Sequence, residues 1–110
     1  MLEGSGNNPE SFENFRAAIL EVYKIDGWSE KLNALIGVWH NQRYQETDMP
    51  GGTIEQRVVF QIELAQIYLT VGRNESAYKT LDDAWDQANQ EGLTGLVAKI
   101  TEMMNNVPEF

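Results

Sequence analysis

The stretch on which the fold turns is Leu64-Ala65-Gln66-Ile67-Tyr68-Leu69-Thr70-Val71-Gly72-Arg73-Asn74-Glu75-Ser76-Ala77-Tyr78-Lys79-Thr80-Leu81-Asp82-Asp83-Ala84. Its spacing predicts two helices joined by a tight turn. Small residues at Ala65, Ala77 and Ala84 let two antiparallel helices cross closely, while Leu64, Tyr68 and Leu81 fill the space beside the crossings. Gly72 suits the left-handed conformation that closes a helix C-terminus. Asn74, two residues on, is a good N-cap for the helix that follows.

Taken together, Leu64, Ala65, Tyr68, Gly72, Ala77, Leu81 and Ala84 resemble the signature of the tetratricopeptide (TPR) repeat, over about residues 58–91. Gln61 stands where that family usually has Trp, and Asn89 where it usually has a closing Pro. A second, degenerate copy lies at about 13–42. When Tyr23 is laid on Tyr68, Ile19 and Leu20 fall on the Leu64-Ala65 pair, Gly27 on Gly72, Ser29 on Asn74, Leu32 on Ala77, Ile36 on Leu81 and Trp39 on Ala84. Gly27 and Gly72 are 45 positions apart, against a repeat period of about 34. The surplus is the polar run Arg43-Tyr44-Gln45-Glu46-Thr47-Asp48-Met49-Pro50-Gly51-Gly52. Ending in a Pro-Gly-Gly breaker, it reads as an exposed loop at about 43–53.

The expected architecture is all-α: five helices in TPR-like antiparallel hairpins, the last a C-terminal cap. Residues 1–8 form a flexible N-terminal segment and 9–110 one domain. The first helix runs from Pro9, capped by Asn8, to about Ile25, with Phe12, Phe15, Ile19, Val22 and Tyr23 at helical spacing. The second follows Ser29 to about Gln42 and carries Leu32, Leu35, Ile36 and Trp39. Thr53 and Gln56 form a capping box that opens the third, which ends near Val71. The fourth spans about Glu75–Gln90 and stops at Gly92. Thr94 starts the fifth, marked by Leu96, Val97, Ile100, Met103 and Met104.

Composition limits the function. The 110 residues include 17 acidic and 8 basic side chains, for a net charge of −9. The basic residues form no stripe, so direct nucleic-acid binding is not expected, because phosphate contacts need clustered Lys and Arg. Asp82, Asp83 and Asp86 are the densest acidic group and read as a solvated outer face. Without cysteine there is no disulfide framework, thiolate metal site or cysteine nucleophile. No apolar run approaches the roughly 18 residues of a membrane helix, and Met1 to Ser11 lacks signal-peptide character. The expectation is a cytoplasmic protein that binds no membrane.

Catalytic constellations do not emerge. The lone histidine, His40, sits beside Trp39 near the expected end of the second helix, where an imidazole is welcome. No motif places a nucleophile against it. No phosphate loop is present, and Glu46 with Asp48 is too sparse a pair for a calcium loop. A non-enzyme without cofactor or metal is expected.

The TPR resemblance implies a protein-binding scaffold whose first helices of each pair line a groove. On this chain the groove takes Asn14, Ala17, Glu21 and Lys24 from helix 1, and Val59, Ile62, Gln66 and Leu69 from helix 3. Ile62 and Gln66 do not reproduce the Lys/Asn clamp with which some members grip a peptide carboxylate. Helix 3 is apolar on nearly all sides, which calls for burial on nearly all sides. Val59, Ile62 and Leu69 point away from the faces that resemblance assigns to packing, and covering them is worth on the order of 5 kcal/mol. Three coverings fit: helix 5 folding back, a second copy of the chain, or an amphipathic segment of a partner. The function expected is therefore an adaptor or chaperone-like scaffold. The alternatives are a homodimer closed through the same groove and, more remotely, an acidic inhibitor imitating nucleic acid.

Overall fold

A computed structural model describes residues 9–46 and 53–109, and the chain is all-helical over them. Five helices follow in order: α1 (Pro9–Asp26), α2 (Glu30–Glu46), α3 (Ile54–Thr70), α4 (Asn74–Gln90) and α5 (Thr94–Asn105). The expected cap at Asn8, the segment 1–8 and the part of the expected loop from Thr47 to Gly52 lie outside the described residues.

Local chemistry sets the boundaries. Ser29 Oγ accepts from the Leu32 amide at 3.1 Å and opens α2. At α3 the capping box is complete: Thr53 Oγ1 accepts from the Gln56 amide and Gln56 Oε1 from the Thr53 amide, each at 3.1 Å. α3 and α4 end alike. Arg73 N–H reaches the Tyr68 carbonyl at 2.8 Å and Leu93 N–H the Ala88 carbonyl at 2.9 Å, with Gly72 and Gly92 between them at φ +74° and +70°. This is the Schellman closure, which needs a residue that tolerates positive φ.

Two sequence expectations shift. Asn74 is the first residue of α4 rather than its cap. Arg73 precedes it with no side-chain hydrogen bond to the helix. α2 does not stop at Gln42 but runs to Glu46, so Arg43 to Glu46 are helical and not loop. The reason is in the spacing. Leu32, Ile36, Trp39 and Arg43 recur every three to four residues on one face, and Arg43 continues the buried stripe although it is charged.

Two hydrophobic clusters result. One joins α3, α4 and α5 through Val58, Ile62, Ala65, Ala77, Leu81, Ala84, Ala88 and Ile100. The other joins α1 and α2 to α3 through Phe12, Ile19, Leu32, Ile36, Ile67 and Val71. Tyr68 packs against both, so α3 is the element shared by the two halves.

Candidate functional site

The faces of α3 sort by spacing. Val58, Ile62, Ala65 and Leu69 turn to the cluster with α4 and α5. Leu64, Ile67 and Val71 turn to α1 and α2. What remains is Gln56, Val59, Glu63, Gln66 and Thr70, again three to four residues apart. Four of these are half-buried and polar, whereas Val59 is apolar and 37% exposed.

The groove expected between helices 1 and 3 is redrawn accordingly. Ile62 is 4% exposed and, like Leu69, belongs to the cluster containing Ile100 of α5. Neither forms a wall open to a partner. They face inward because Ala65, Ala77 and Ala84 admit α4 closely on that side of α3, and the side chains flanking the crossing are buried with it. On α1, Asn14, Ala17, Glu21 and Lys24 are all exposed. Glu21 and Lys24 form a surface ion pair at 3.8 Å, a contact worth little in stability. Ala17 lines a cavity of about 210 Å³ with Glu13, Arg16, Leu20 and Thr70. Gln66 is half-buried and its backbone carbonyl accepts from Thr70 Oγ1 at 2.9 Å. Val59 lines a different cavity.

That second cavity, of about 420 Å³, lies where the last turns of α2 meet the first turns of α3. Arg43, Thr53, Glu55, Gln56, Val59, Phe60 and Glu63 line it. Arg43 is 3% exposed. Its guanidinium carbon sits 4.3 Å from the Phe60 ring centre and 5.1 Å from that of Trp39, geometry in which a cation is attracted to the ring faces. Nη2 donates to Glu63 Oε1 at 2.6 Å, a charge-assisted bond at the short end of its range. Nε and Nη1 are buried and have no hydrogen-bond partner among the described residues. Behind this pair, Tyr44 accepts from Gln61 Nε2 at 2.8 Å. The residue that departs from the repeat signature therefore ties α3 to α2.

Sequence reasoning missed Arg43 because a charged residue in a polar run reads as loop. The available signal was its register, four residues beyond Trp39 on the stripe of Leu32 and Ile36. His40 is also differently placed from expectation. With α2 extended to Glu46 it is no longer at the helix end but half-buried, its ring 4.9 Å from that of Tyr44. Burial pushes its pKa down from the usual 6.5, opposite to the effect of a helix C-terminus. Asp82, Asp83 and Asp86 are exposed on α4, and Asp82 borders a cavity of about 290 Å³ with Tyr78, Trp85, Thr101, Met104 and Asn105. No three His, Asp or Glu side chains among the described residues come together as metal ligands, and no described helix is long and apolar enough to cross a membrane.

Comparison of the chain with protein-family models, with curated proteins and with solved structures returns no match.

Proposed function

We propose that this chain is a non-catalytic, cytoplasmic protein-binding module of TPR-like build, which holds a segment of a partner protein at the cavity between α2 and α3. The observation that carries the reading is Val59, an exposed apolar side chain on the rim of a cavity of about 420 Å³ that Phe60 also lines. A concave site of a few hundred Å³ with apolar walls and a few fixed polar groups is the usual form of a recognition pocket. The choice of protein over nucleic acid is supported by the basic side chains. Arg16, Lys24, Arg43 and Lys79 are each within ion-pair distance of a carboxylate of the same chain, which leaves those four poorly disposed toward phosphates.

The test is affinity capture from a lysate with three baits: the wild-type chain, Val59→Glu, and Val38→Glu as control. Val38 is exposed on α2 and does not line the cavity. A protein retained by wild type and by the control, but lost with Val59→Glu, is the expected result. Equal recovery on all three baits overturns the assignment of this cavity. Light scattering on the purified chain separates the homodimer: a mass that doubles with concentration, and stops doubling in Val59→Glu, would make the partner a second copy.

A further inference from the structure

A cavity of about 290 Å³ lies where α4 and α5 meet, and one face of each helix builds it. From α4 come Tyr78, Asp82 and Trp85, three or four residues apart and so on one side of that helix. From α5 come Thr101, Met104 and Asn105, which share a side in the same way. A hydrogen bond across the two helices holds the wall in place. Trp85 Nε1 donates to Thr101 Oγ1 at 3.1 Å, and the same hydroxyl donates to the Val97 carbonyl at 2.8 Å. An indole N–H can only donate and a hydroxyl carries a single proton, so the indole cannot turn without breaking the bond.

The residue types say what fits. Aromatic rings and a thioether pack well on an aliphatic stem, and an aromatic ring also attracts a cation to its face. Asp82 adds an exposed carboxylate, and no Lys or Arg lines the cavity. Among the described residues no basic side chain is within ion-pair distance of Asp82. Lys79, the nearest cation along α4, lies instead 3.3 Å from Glu75. An anionic ligand would meet Asp82 on a chain that already carries −9, so like charge excludes it. A purely apolar side chain would suit the rings and leave the carboxylate unused. A long basic side chain meets both requirements, because its stem is apolar and its end is a cation.

We propose that this cavity seats a lysine or arginine side chain of a partner protein, its stem against Tyr78, Trp85 and Met104 and its charge beside the Asp82 carboxylate. Asp83 and Asp86 lie on the same helix but do not line the cavity. They add to the negative potential that draws a cation in without touching it. The site is separate from the cavity between α2 and α3 and does not depend on what that cavity binds.

The experiment is an NMR titration of the folded chain at low salt that follows the Trp85 indole N–H and the Met104 methyl group. N-acetyl-lysine N′-methylamide and its arginine counterpart carry the cation. N-acetyl-norleucine N′-methylamide has the lysine stem without the charge, and n-butylammonium has stem and charge without the backbone. At least one of the two basic probes is expected to shift both signals and to bind about fivefold more tightly than the norleucine probe, the equivalent of about 1 kcal/mol. Asp82→Asn should erase that preference. Asp83→Asn, which removes the same charge one residue away, should keep most of it. Raising the salt to about 0.5 M should weaken the basic probe and leave the norleucine probe unaffected. Norleucine binding as tight as that of the basic probes overturns the proposal. So does an equal loss in the two variants, which would mean that the overall charge of the chain draws the probes. Tighter binding of n-butylammonium than of either basic probe makes the occupant a free amine and overturns the side-chain assignment. Signals that no probe moves overturn it outright.

Discussion

The halves of this molecule on either side of α3 are built on opposite packing rules. Toward α4 and α5 the contact surface is rich in alanines: Ala65, Ala77, Ala84 and Ala88 are fully buried in one cluster, and α3 and α4 share the most extensive backbone contact of any two described helices. Toward α1 and α2 the contact is made of large side chains. Phe15 and Trp39 stack at 4.8 Å with their planes 7° apart, Phe12 lies 5.7 Å from the same Trp39 ring, and Arg43 is wedged between Trp39 and Phe60. Small residues bring helix axes together and exclude space between them. Large rings hold axes apart, and helices held apart can leave space at their ends. The cavity of about 420 Å³ lies in the second half, so on the proposed reading the difference in packing is also a division of labour, with the site for a partner segment in the aromatic half.

If that division holds, the largest single loss of stability comes from Arg43. Arg43→Ala removes the group held between two rings and breaks its 2.6 Å ion pair with Glu63, which is only 14% exposed. Breaking a pair buried to this degree costs about 3–5 kcal/mol. The double variant Arg43→Met/Glu63→Met should recover most of that, since apolar residues of similar volume often replace a buried pair without loss. Urea unfolding followed at Trp39 and Trp85 measures both variants and also tests the comparison. A destabilisation seen by Trp39 alone would mean that the halves unfold separately, whereas coincident transitions would make α3 a rigid bridge between them.

The alanine half answers to enlargement instead. Ala84→Leu forces bulk into a crossing with no free space and should cost about 1–3 kcal/mol or more. The same change at Ala34, exposed on α2, should stay within about 0.5 kcal/mol. A small effect at Ala84 would show that the crossing is looser than its burial suggests and would remove the contrast. Thermal unfolding of the two variants side by side is sufficient. Thr53→Ala comes next, at about 1 kcal/mol, because it removes one arm of the capping box that starts α3. Thr53 also borders the cavity, so affinity capture with this variant asks whether the first turn of α3 must be fixed for the site to form.

The alanine half was readable from the sequence and the aromatic half largely was not, for a physical reason. Ala65, Ala77, Leu81 and Ala84 occupy positions where only a small or a space-filling residue works, and Gly72 and Gly92 occupy positions where positive φ is required. Such constraints are strict enough to show in one chain. The burial of Arg43 depends on three partners from two helices, Trp39, Phe60 and Glu63, that no local pattern connects. What covers Ile62 was left open among three alternatives for the same reason, and α5 covers it. Helix 3 is apolar all round, so periodicity alone cannot say which apolar face meets α4 and which faces the open side. The exposed α1 residues Asn14, Ala17, Glu21 and Lys24 were assigned to a groove with helix 3 by the repeat resemblance, which could not tell that Ala17 and Val59 line separate cavities.

The smallest expected effect tests the aromatic half by pH. His40 is half-buried against Tyr44, its Nδ1 has no partner among the described residues, and burial lowers its pKa below the ordinary 6.5. The unfolded chain therefore takes up the proton more readily than the folded one. Stability from this group is fully present above about 6.5 and is lost as pH falls from there toward the lowered folded value. Carboxylates titrate further down, so the contribution of His40 is isolated by comparing the chain with His40→Gln in urea unfolding at about pH 7.5 and about pH 5.5. The wild-type chain should lose more stability over that interval than the variant. Because His40 lies one residue from Trp39, the loss should register in the fluorescence of Trp39 before that of Trp85. An equal response in both chains would mean that the aromatic half opens enough to hydrate the imidazolium, and a half that opens so readily could not keep the cavity between α2 and α3 in one shape for a partner.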